Sequence, residues 1–61
     1  MITAVLADGP LGGETVEVEP VEGRPPKTID VPALDGSTNR YCLSQWVQEG
    51  QRAEYGFLYE V

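Results

Sequence analysis

Histidine is absent from this chain of 61 residues, and cysteine occurs once, at Cys42. The first absence removes the commonest general base and metal ligand. The second excludes a disulfide within the chain and, with no imidazole to help, any zinc-type cluster. Cations are also scarce: Arg24, Lys27, Arg40 and Arg52 stand against ten acids, for a net charge of −6. That balance opposes attraction to nucleic-acid backbones and to anionic membrane surfaces. No run approaches the roughly 18 apolar residues of a membrane span, and the amino-terminal residues lack the basic and apolar regions of a signal peptide. The expectation is a soluble chain made in a cytoplasm, with neither a nucleic-acid nor a membrane partner.

The length permits one small domain. A chain of this size buries only about 60% of the surface that its unfolded form exposes, so small scaffolds usually rely on a disulfide, a metal or a partner. With the first two excluded, a partner or very economical packing remains.

What is present reads as strands. Met1 to Ala7 is apolar apart from Thr3, with β-branched Ile2, Thr3 and Val5, and predicts a buried first strand. Thr15 to Glu19 alternates, Val16 and Val18 on one side and Thr15, Glu17 and Glu19 on the other, which is the pattern of a half-buried strand. The run "EPVEGRPPK", Glu19 to Lys27, holds three prolines and predicts an extended connector. Thr28 to Val31 is a short third strand with Ile29 and Val31 on one side, stopped by Pro32, and Asp35-Gly36 is a turn signal. Arg40 to Gln48 and Glu54 to Val61 form a last hairpin around Glu49-Gly50-Gln51, with strand favoured over helix for residues 40 to 49. Strict alternation puts Tyr41, Leu43 and Val47 on one face of the fourth strand and Cys42, Ser44 and Trp46 on the other. In the fifth strand it groups Tyr55, Phe57, Tyr59 and Val61. The fold class expected is all-β, a small antiparallel sheet or partly closed barrel of about five strands in a single domain over residues 1–61.

Between the first two strands, "DGPLGGETVEV" raises the question of a phosphate loop. A Walker-type loop needs a lysine and a hydroxyl after its glycines and then a helix. Here Glu14 and Thr15 follow, then a strand, and the glycine spacing of a dinucleotide fingerprint is missing. The stretch is a hairpin connection, in which Gly12 and Gly13 are free to take positive φ. No catalytic residue is assigned: Cys42 has no activating partner, and Ser37 and Ser44 have no triad companions. The glutamates between positions 14 and 22 read as a solvated strand face and lack the spacing of a calcium loop. No metal, cofactor or small-molecule substrate is expected.

Function is sought at an interface. All the aromatic residues, Tyr41, Trp46, Tyr55, Phe57 and Tyr59, fall beyond position 40. If the first hairpin covers one face of the sheet, no chain is left to cover the other, and a bare patch with Trp46 on it marks a protein contact. The alternative is that the sheet curls and Trp46 closes one end of a small barrel. Arg40 and Arg52 flank the fourth strand and are suited to a carboxylate or an aromatic ring. The candidate interface residues are therefore Trp46, Tyr55, Phe57, Tyr59, Arg40 and Arg52.

The pieces "DGPLGGETVEV", "EGRPPKTIDV" and "AEYGFLYEV" span most of the chain. With them the chain resembles a group of small proteins encoded by actinobacteria and especially by their tailed bacteriophages. That resemblance implies a non-enzymatic minor capsid or head-decoration protein. Its partners are the major capsid protein or other copies of itself, and it resides in the virion; the resemblance leaves the inner or outer surface open, and charge alone favours the outer, because packaged DNA repels an acidic chain. A competing expectation is an acidic mimic of DNA that occupies a basic groove on a host enzyme, and a third is a β-module of a larger bacterial complex.

Overall fold

The computed structural model describes every residue from Met1 to Val61. Five strands form and no helix does: β1 (Ile2–Leu6), β2 (Thr15–Val18), β3 (Thr28–Pro32), β4 (Thr38–Val47) and β5 (Arg52–Glu60). They make one curled sheet, a half-barrel, in the order β2-β1-β5-β4-β3. The partly closed barrel is thus the form taken. Its sheet is mixed, because β1 and β5 run parallel while the other three pairs are antiparallel.

Hairpins account for the antiparallel pairs, and the proline-rich connector accounts for the parallel one. β2 lies at one edge and β3 at the other, so residues 19–27 must cross an end of the half-barrel between them. Pro20, Pro25 and Pro26 cannot donate to a strand ladder, which suits a segment that spans strands instead of joining them. Two bonds fasten it: the Tyr55 hydroxyl donates to the Pro26 carbonyl at 2.6 Å, and the Leu43 N–H donates to the Lys27 carbonyl at 2.7 Å. The β1–β2 hairpin therefore continues the same sheet and is not a second layer covering it. Pro32, expected to stop β3, is its last residue, at a sheet edge where a missing donor is tolerated.

Curling brings the inward residues of four strands together, with Val16 and Val18 of β2 half-buried against them. The core is Ile2, Ala4 and Leu6 of β1, Val31 of β3, Tyr41 of β4, and Ala53 and Tyr55 of β5. Ala4 and Ala53 are direct neighbours across the parallel pair; their small side chains leave room inside the curve for the two tyrosine rings. Tyr41 also ties the upper turn to the sheet. Its hydroxyl accepts from the Leu11 N–H at 3.1 Å and donates to the Asp8 carbonyl at 2.9 Å.

Two one-residue irregularities in the β4–β5 ladder redirect side chains. Leu43 pairs with Tyr55 and Gln45 with Glu54, so Ser44 is extra; Tyr41 pairs with Phe57 and Arg40 with Tyr59, so Leu58 is extra. Each extra residue reverses the alternation beyond it. The Ser44 hydroxyl, donating to the Glu54 carbonyl at 3.0 Å, holds its bulge in place.

Candidate protein interface

The bulges divide the aromatic set predicted to form one face. Tyr55 is fully buried, so it cannot be a contact residue of the folded chain; this corrects its assignment to the interface. Trp46 does not point away from Tyr41 and Leu43. The Ser44 bulge returns it to their side, beside the buried Ala53, where it packs half-buried against the core. It sits at the end crossed by the connector, near Pro20, Gly23 and Gln51, which is the barrel-closing arrangement. Val47, expected to share the inward face, is turned outward and exposed. Phe57 is half-buried, edge-on to Tyr41 with ring centres 5.5 Å apart. It leans over the "DGPLGG" turn so closely that a Cβ on Gly9 would lie 2.4 Å from its own Cβ.

Tyr59, by contrast, leaves the Phe57 face at Leu58 and is exposed on the outer side. There it meets Arg40. The guanidinium donates to both carboxylate oxygens of Asp30, at 2.7 and 3.0 Å, and to the Tyr59 hydroxyl at 3.1 Å. Asp30, Arg40 and Tyr59 are successive partners across β3, β4 and β5, so they form one rung. Its charge is internally balanced. Arg40 holds the Asp30 carboxyl below its ordinary range, through the hydrogen bonds first and its charge second, and its own proton is held more tightly in turn. Arg52 lies at the opposite end of β5, in a shallow depression with Val5, Val47, Glu49 and Glu54. The six predicted residues therefore do not meet in one place.

One apolar cleft was not singled out from the sequence. A half-barrel has two free edges, and between β2 and β3 lies a cleft of about 480 Å³ lined by Leu11, Val16, Val31, Pro32, Ala33 and Leu34, with Glu14 at its rim. Leu34 is fully exposed at 109%. It stands in the β3–β4 turn, which the Asp35 carboxylate closes by accepting from the backbone N–H and hydroxyl of Ser37 at 3.0 and 2.6 Å. These bonds hold the Asp35 carboxyl below its ordinary range as well. The one sequence signal for this cleft was Leu34 itself, an apolar residue inside a turn, where polar residues are the rule.

The glycine-rich stretch is a hairpin connection, as expected, with Gly9 and Gly13 at positive φ and Gly12 not. No group of three or more cysteine, aspartate or glutamate side chains is arranged to hold a metal ion. No family model matches the chain, and neither a curated protein nor a solved structure matches it.

Proposed function

We propose that this is a binding module without chemistry of its own, a minor capsid or head-decoration protein of an actinobacterial phage. On this reading it docks on the shell through the seam between β2 and β3. The observation that carries the proposal is the seam: an apolar cleft open to water between two unpaired strand edges, in a chain with only nine buried residues. Such a cleft is costly to leave bare and is a usual mark of a protein contact. A repeated lattice suits a small module, because binding stabilises the folded form by mass action and repetition adds avidity. The phage assignment rests on the resemblance of "DGPLGGETVEV", "EGRPPKTIDV" and "AEYGFLYEV".

Mass spectrometry of gradient-purified particles tests it, counting this chain against the major shell protein. A fixed, near-integer ratio is the expected result. Absence from particles, with the protein abundant in the infected lysate, overturns the capsid reading and brings forward the acidic inhibitor, whose binding weakens steeply with salt and competes with DNA. Within the capsid reading, Leu34→Asp lowers occupancy about tenfold or more, the worth of one leucine moved from water into a contact. It leaves the melting temperature unchanged, since Leu34 is packed against nothing in the free chain.

A further inference from the structure

We infer that β2 is a docking edge for an extended segment of another protein, with basic and apolar residues in alternation, which adds as a sixth strand and covers the seam. The inference rests on the reading of the chain as a protein-binding module and specifies what it binds. β2 has one neighbour, β1. The Glu14 carbonyl accepts from the Leu6 N–H at 2.9 Å, so it faces β1. Alternation along an antiparallel ladder then turns Val16 to β1 as well, and leaves the N–H and C=O groups of Thr15 and Glu17 at the free edge. An unpaired row of this kind is a template for strand addition.

Side chains specify the guest. Val16 and Val18 are half-buried on the inner side, while Thr15 and Glu17 are exposed on the outer side. A strand laid along β2 sets every second residue over the cleft, against Leu11, Val16, Val31 and Leu34, and these positions are apolar. Its other residues stand on the outer side beside Thr15 and Glu17, with Glu19 next in the alternation, on a chain of net charge −6. Opposite charges across a strand pair attract and like charges repel, so those positions are lysine or arginine. Glu17 is prepared for this: the Thr3 hydroxyl donates to its Oε2 at 2.9 Å, holding the carboxylate on the outer face with Oε1 free. The same rule disfavours a second copy of this chain, because two β2 edges would set glutamate beside glutamate. β3 is a poorer edge, since Pro32 lacks a donor and Pro25-Pro26 comes shortly before it.

The test titrates the full-length, isotopically labelled chain with a short synthetic peptide of alternating lysine and valine, and with its glutamate–valine counterpart. With the lysine peptide, NMR shifts are expected at Thr15 and Glu17 and around Leu11, Val31 and Leu34. The lysine peptide binds at least tenfold more tightly than the glutamate one, and its affinity falls with salt. Glu17→Lys, an exposed change, reverses that preference, and Thr15→Pro removes a free-edge donor and abolishes binding. Shifts centred elsewhere, equal binding of the two peptides, or indifference to Glu17→Lys overturn the inference. So does a concentration-dependent dimer in sedimentation that Thr15→Pro disperses, which would give the edge to a second copy. A chain found stoichiometrically on particles but blind to the lysine peptide loses this inference alone. A chain that binds the peptide but is missing from particles loses the capsid reading alone.

Discussion

Tyr41→Phe removes one buried oxygen and with it both bonds that fasten the Asp8–Leu11 turn to β4. The ring is fully buried, and its hydroxyl accepts from Leu11 and donates to Asp8. A hydrogen bond contributes about 0.5–1.5 kcal/mol net, and a partner left buried and unpaired costs about 1–3 kcal/mol. Asp8 is exposed, so water replaces the donor it loses; Leu11 is half-buried, so its N–H is less readily compensated. The loss comes to about 2 kcal/mol. A domain of this length is stable by about 3–9 kcal/mol in all, and each kcal/mol moves the midpoint of a domain this small by about 4–8 °C. The expected fall in melting temperature is therefore about 10 °C. Trp46, the single tryptophan and packed on the core, reports unfolding by fluorescence in urea and heat. Tyr59→Phe is the matched control: it removes the bond from Arg40 at an exposed site, and such changes stay within about 0.5 kcal/mol. A Tyr41→Phe loss below about 0.5 kcal/mol, or a Tyr59→Phe loss as large, refutes the clamp.

Gly9→Ala is expected to cost about 2–4 kcal/mol in urea unfolding, combining a left-handed backbone at φ +76 with a Cβ pressed on Phe57. Gly36→Ala, at φ +91 with nothing within 4 Å, should show only the backbone part, about 1–2 kcal/mol; equal losses would remove the role of the Phe57 contact. Asn39 is buried with its Nδ2 unpartnered, so Asn39→Leu is expected to raise stability by about 1 kcal/mol, and a decrease would mean the amide has a partner that matters. Because the folded Asp30 carboxyl titrates below its ordinary value of 3.8, its pairing with Arg40 supports the fold fully above that value and is lost as pH falls through the lower, folded value. Carboxyl NMR should show the Asp30 midpoint rising towards 3.8 in Arg40→Gln, with a shallower acid limb of unfolding, and an unmoved midpoint assigns the shift to another cause.

Strand positions were legible because apolar and β-branched runs are bounded by residues with strong backbone preferences. Asp8-Gly9-Pro10, the proline-rich connector and Asp35-Gly36 all fall between strands, as local stereochemistry requires. The β1–β5 parallel pairing was not legible, because it depends on which edge the connector carries the chain to, and an extended segment has no local preference for that. The strand boundaries at Thr38 and Arg52 lie two residues outside the sequence reading for a related reason. Thr38, Asn39, Arg52 and Ala53 are drawn into the ladder by partners already in place, and Asn39 is poorly suited to a strand on its own.

The distribution of the aromatic side chains failed to emerge from the sequence for a more specific reason. Period-two counting places every residue of a strand once one is placed, and a single extra residue inverts all that follow. Ser44 and Leu58 are two such residues. The first carries Trp46 inside and Val47 out; the second separates Tyr59 from Phe57 and delivers it to Arg40. Neither bulge is marked by a glycine, so composition alone could not locate them. The consequence reaches function. With most of its aromatic rings turned inward, the chain fills the curve of a sheet too short to close, and an apolar cleft with Leu34 exposed at its edge is left where the barrel wall is missing. A partner that supplies the missing wall contributes backbone pairing and burial together, which a contact on the closed side of the sheet could not do.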